Sequence, residues 1–116
     1  MSIADDVRAA WWAVKAIRRT RQTGFDSRDS RELPEVPSLP PSAKRGVNAG
    51  LRLLRASCLD RATVLQAWYL AHGDERDLVI GVTAPSTGFT AHAWLEGEPP
   101  CHSEGFYELT RRPARG

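Results

Sequence analysis

The 116-residue chain has few cysteines, almost no net charge and no long apolar run, and each shortage removes a class of protein. Two cysteines, Cys58 and Cys101, cannot build the disulfide framework of a small secreted domain. No apolar stretch approaches the roughly 20 residues of a membrane span, and Arg8 interrupts the first helical pattern. Neither a transmembrane segment nor a cleavable secretory signal is therefore expected, and the chain reads as cytoplasmic. A formal net charge of +2 is too small for the dense basic face that phosphate neutralisation demands. No internal repeat, P-loop, C-x-x-C or H-E-x-x-H pattern occurs. In a reducing compartment the two thiols are left with three uses: catalysis, metal binding or plain burial.

What is present describes one globular domain: 41% hydrophobic and 26% charged residues in a chain too short for two independent cores. Ile3, Val7, Trp11, Val14 and Ile17 recur at helical spacing, and Ser2 with Asp5 resembles a capping box, which predicts a first helix over 3–22. Adjacent Trp11 and Trp12 point in different directions on a helix. Either one packs inward and the other sits at an edge or against a partner, or both lie in the core. The basic run Lys15, Arg18, Arg19 and Arg21 reads as a solvated helix face in preference to a nucleic-acid contact, and no nucleic-acid partner is expected.

From Gly24 to Ser42 the composition turns to Asp, Ser, Arg and Pro. Pro34, Pro37, Pro40 and Pro41 make its second half an extended connector. Pro41 and Ser42 suit the start of a second helix carrying Val47, Leu51 and Leu54, which runs to about Arg55. Ser57 is a good N-cap for a third helix beginning at Cys58, with Asp60 in its first turn and Gly73 as its stop. That helix is apolar on most sides, as a central helix is. Strands are predicted over 78–83, 89–96 and 101–109, with turns at 85–88 and 97–100. Helices followed by strands make the fold α+β, an antiparallel sheet against a central helix.

The chemistry centres on Cys58. At a helix N-terminus, backbone N–H groups and the macrodipole favour a thiolate and can stabilise an oxyanion formed by its attack on a carbonyl. The bland alternative is a small, inert core cysteine. A nucleophile needs a base. His92 lies within a strand, sharing a face with Thr90, Trp94 and Glu96 while Phe89, Ala91, Ala93 and Leu95 point the other way. The competing role is a hydrogen-bonded structural histidine. For His72, at the end of the third helix, capping suffices.

Glu96 is about 13 Å along the same strand from His92, too far to orient it. If the chain reverses tightly about residue 98, Glu104 falls opposite His92 with Cβ atoms about 5 Å apart. A wider turn imposed by Pro99 and Pro100 presents Ser103 or Gly105 instead. Zinc is the rival use of Cys58, His92, Cys101 and His102, but adjacent Cys101 and His102 are poorly spaced for it and no metal site is expected.

The segments Cys58-Leu59-Asp60-Arg61, Leu78-Val79-Ile80-Gly81-Val82 and Ala91-His92-Ala93-Trp94-Leu95-Glu96 resemble the transglutaminase-like B2 proteins of lasso-peptide biosynthesis. These are leader peptidases similar to the C-terminal part of the microcin J25 maturation B protein. The resemblance covers about residues 58–109 and is most specific in the His-Ala-Trp-Leu-Glu segment. It implies a papain-like fold and a Cys-His-acid triad of Cys58, His92 and Glu104, the last standing where the family usually has Asp. It implies a lasso precursor peptide as substrate and a small pocket near Trp94 and Ser57 for the penultimate leader residue, commonly Thr.

The resemblance further implies two partners, a separate leader-recognition protein and an ATP-dependent cyclase that closes the ring afterwards. No cofactor is implied. The basic first helix with Trp11, Trp12 and Arg18, together with the Pro-rich connector, is the expected docking surface for the recognition protein. Glu in place of Asp also permits a second reading, a non-catalytic scaffold that keeps the fold to hold a peptide.

Overall fold

The structure is a computed structural model that describes residues 3–22, 33–83, 91–97 and 106–114. Helix α1 spans Ile3–Gln22, as its periodicity predicts. Asp5 and Asp6 in its first turn and Arg19 and Arg21 in its last complement the helix dipole. A short 3-10 turn, Pro41–Ala43, leads into α2, Lys44–Leu53. Helix α3 spans Cys58–Ala71. Strands β1 (Leu78–Thr83), β2 (Ala91–Leu95) and β3 (Phe106–Arg112) complete the domain, whose α+β class matches the sequence pattern.

Helices α1 and α2 approach closely because the residues between them are small. A Cβ on Gly46 would collide with the Asp6 backbone, and one on Gly50 would stand 2.8 Å from the Ala10 carbonyl oxygen. The connector is pinned at two points. The Trp12 indole N–H donates to the Pro34 carbonyl at 3.0 Å, and the His72 ring places Nε2 2.9 Å from the Leu39 carbonyl. Nδ1 of the same ring lies 2.7 Å from the Trp68 carbonyl, so His72 caps the end of α3, the place expected for it. Buried Trp12 and Trp68 and half-buried His72 form an aromatic column, with ring centroids 5.9 Å and 4.4 Å apart.

Helix α3 is buried on most of its circumference, through Leu59, Ala62, Val64, Leu65 and Trp68. Its buried Gln66 donates from Nε2 to the carbonyls of Arg76 and Arg112, both at 2.9 Å, which ties the helix to the approach to β1 and the end of β3. Gly73, at φ +79°, ends the helix. The Asp74 N–H bonds the Tyr69 carbonyl and the Gly73 N–H bonds that of Leu70, the pair of hydrogen bonds that a left-handed glycine allows at a helix end.

The sheet order is β2-β1-β3, with both neighbours antiparallel to β1. This corrects the expected hairpin of the last two strands. Glycine 81 of β1 faces His92 on one side and Glu108 on the other. The run Leu78 to Val82 is apolar on both faces and takes the centre, where a strand is covered on both sides. Pro99 and Pro100 supply no ladder N–H for a tight reversal. One sheet face, formed by Leu78, Ala93 and Leu95, is buried against α3.

At one end of the sheet Arg111 gathers three carboxylates, one from each strand's surroundings: Glu108 at 2.7 Å, Asp77 at 3.1 Å and Glu96 at 3.3 Å. Hydrogen bonds from the Arg111 guanidinium hold the Glu108 carboxyl below its ordinary value. A carboxyl whose folded value is depressed stabilises the fold above its unfolded value, and that contribution is lost as pH falls through the folded value. Arg111→Gln should therefore lower the urea midpoint at about pH 7, with the gap to the parent closing towards about pH 3. A gap that stays constant over this range would show that the cluster contributes nothing through charge.

Candidate active site

Ser57 sets the start of α3. Its backbone is extended, and its Oγ accepts the Asp60 N–H at 3.1 Å. The first helical rung follows, from the Arg61 N–H to the Ser57 carbonyl at 2.8 Å. Helix geometry leaves the N–H groups of Cys58 and Leu59 with no carbonyl one turn earlier to bond. The cap thus satisfies the third amide of the turn and places Cys58 first in the helix, as the sequence predicts.

The Cys58 thiol, free of any disulfide, meets β2 at its backbone. The Ala93 N–H donates to Sγ at 3.4 Å. Residues along an antiparallel strand direct their N–H groups alternately to the two sides. With Ala93 turned to Cys58 and away from β1, the thiol lies along the edge of β2 that faces away from β1. Between them is a cavity of about 210 Å³, lined by residues 57–59 from the helix and by Ile80, Ala91, His92 and Ala93 from the sheet. Two of the three proposed triad members, Cys58 and His92, therefore share one cavity with Ser57.

The alternation expected of β2 is observed. Ala93 and Leu95 are buried, while His92 and Trp94 are half-buried on the opposite face. Trp94 does not line the cavity. Its indole lies over Gly81 and stacks on His92, with centroids 5.9 Å apart and planes 23° from parallel. Glu104, Cys101 and His102 lie outside the described residues. The register that set Glu104 opposite His92 required β3 to pair with β2, and β3 pairs with β1 instead. Among the described residues no group of three His, Cys, Asp or Glu side chains is placed to hold a metal ion. Nor, among them, is any helix long and apolar enough to cross a membrane.

On α1 the two tryptophans part, as one of the alternatives above had it. Trp12 is 1% exposed and Trp11 61% exposed. Trp12 is thereby removed from the expected partner surface, because its ring is enclosed in the core and its N–H is used by the connector. Arg18 is exposed, and Ile3 and Val7 share the exposed face with Trp11. Gly81 is a further residue of this region, and its signal in the sequence is a glycine inside an apolar strand, which marks a close approach by another group.

A model of the transglutaminase-like superfamily matches residues 2–110. The chain belongs to that superfamily, and the matched span takes in α1 and the connector as well as the segments around Cys58 and His92. No curated protein and no solved structure matches the chain significantly.

The cap that positions Cys58 can be tested apart from chemistry. Ser57→Ala should cost about 1 kcal/mol of stability in urea denaturation, and Ser57→Asp should retain most of it. Equal stability of Ser57→Ala and the parent would show that the hydroxyl does not hold this turn.

Proposed function

We propose that the protein is a cytoplasmic cysteine peptidase that removes the leader from a lasso precursor peptide, working with a separate leader-recognition protein. The observation that carries this reading is the Cys58 thiol, seated at the first position of a helix 3.4 Å from the Ala93 amide, in one cavity with His92 and in a transglutaminase-like chain. The lasso assignment is supported by the His-Ala-Trp-Leu-Glu segment and its neighbours.

In this mechanism His92 takes the Cys58 proton, and the sulfur attacks the carbonyl carbon of the last leader residue. The oxyanion is held by backbone amides, with the Cys58 N–H as one donor. His92 returns the proton to the departing amine, a thioester to Cys58 remains, and water releases the leader as a carboxylate. Glu104 orients His92. The core peptide leaves with a free α-amine for the ATP-dependent cyclase to use. Of the surface expected to meet the recognition protein, Trp11 and Arg18 on α1 remain, together with the Pro-rich connector.

Mixing the full chain with precursor and recognition protein and following mass over time tests the chemistry. Cleavage is expected with the parent and none with Cys58→Ala. If both cut, or neither does, the peptidase reading fails, and the second outcome is what a peptide-holding scaffold would give. Docking is tested separately. Trp11→Ala combined with Arg18→Glu should weaken capture of the recognition protein by tenfold or more, on the order of a lost interface anchor, while labelling of Cys58 by a small thiol probe is unchanged. Undiminished capture would place the partner elsewhere.

A further inference from the structure

β1 carries an apolar side chain at every position from Leu78 to Val82 except Gly81, which has none, and that position lies directly across from His92. A side chain there would have no room. A Cβ would stand 2.8 Å from Cη2 and 3.0 Å from Cζ3 of Trp94, and 3.0 Å from the Tyr107 carbonyl oxygen. The direct partner of Trp94 is Val79, so its indole has leaned diagonally across β1 to lie over the glycine. Val79 itself is 2% exposed. In this position the ring comes alongside His92, two residues earlier on the same face, in a stacked arrangement.

An imidazole on an edge strand turns about two side-chain bonds, and both angles decide how its ring nitrogens stand towards the cavity it shares with Cys58. A rigid aromatic wall against one face of the ring removes most of that freedom before substrate arrives. We propose that Trp94 is a positioning residue for His92, and that Gly81 is the bare strand position that seats the indole so that it can stack on the imidazole. This rests on the reading of His92 as the base, and it moves Trp94 from the substrate pocket to the support of the triad. Trp94 touches no reacting atom in this role.

Five variants of the full chain test it: His92→Ala, Trp94→Ala, Trp94→Phe, Trp94→Leu and Gly81→Ala. Two readouts apply. One is the rate at which iodoacetamide alkylates Cys58 between mildly acid and mildly alkaline pH, followed at the Cys58-containing peptide by mass spectrometry. The other is the split between kcat and KM for precursor cleavage. Loss of Trp94 should slow alkylation near neutral pH and lower kcat by about tenfold to a hundredfold, the effect of misplacing a catalytic group by a fraction of an ångström to an ångström, with KM nearly unchanged. Trp94→Phe should recover most of this, since a ring face remains. Trp94→Leu fills the space without a ring face and should not. Gly81→Ala should resemble Trp94→Ala, because the new methyl group displaces the indole.

If His92→Ala changes the alkylation profile while every Trp94 variant keeps the parent profile, the positioning role is wrong and the peptidase reading stands. If His92→Ala itself leaves the profile unchanged, both fall. Recovery by leucine as full as by phenylalanine would reduce Trp94 to packing, and a raised KM at constant kcat would return it to the substrate pocket. Should Trp94→Ala not fold, the comparison of Phe, Leu and the Gly81 variant decides the matter alone.

Discussion

The contact from the Ala93 amide to the Cys58 sulfur is the constraint on which the arrangement of the site depends. Only an edge strand has amides directed away from its sheet, so a thiol can accept from the backbone of β2 only if β2 stands at the edge. The β2-β1-β3 order supplies that edge. Had β2 lain at the centre, its outward amides would have been taken by another strand, and no helix N-terminus could have reached them. Strand order here, a matter of fold, decides whether the cysteine and the histidine can share a cavity at all.

The helix that brings the thiol to this edge must hold its own position, and the buried contacts of the domain converge on it. Trp68 and His72 engage Trp12 and the connector from one side, and Gln66 ties the opposite end of the sheet to the helix by two carbonyls. The glycines of α2 let α1 close down on it, so that the aromatic column is enclosed rather than exposed at a seam. These contacts lie away from the cavity. A half-buried polar network gathered around one helix is costly to break, and it holds α3 firmly beside the edge of β2.

Much of this was legible from local residue chemistry. Ser57 and Gly73 mark the ends of α3 because capping depends on one side chain or one φ value, and both act within a turn of where they stand. The alternation of β2 put His92 and Trp94 on one face because side-chain direction in a strand has period two. Strand order was not legible, since pairing joins residues far apart in sequence and the apolar run of β1 competes for the centre against the short link between β2 and β3. The expected partner of His92 was drawn from that link, whereas Gly81 is the residue across from it. Trp12 illustrates the same limit. Two adjacent tryptophans differ in direction by local geometry, but which of them is enclosed depends on a proline connector more than 20 residues away, at Pro34.

The first turn of α3 links stability to chemistry. A helix begins with amides that have no carbonyl one turn earlier, and the cap residue determines which of them are satisfied. Serine 57 takes the Asp60 amide, a bond its short side chain can reach from an extended backbone. The amides of Cys58 and Leu59 are not used by this cap, and both residues line the cavity beside the sulfur. An anion formed beside the Cys58 sulfur would meet amides of a turn fixed by the same bond that starts the helix. Without a side chain able to make that bond the turn would fray and carry Cys58 off the edge of β2. The start of the helix and the seat of the thiol beside β2 thus both lean on one hydroxyl.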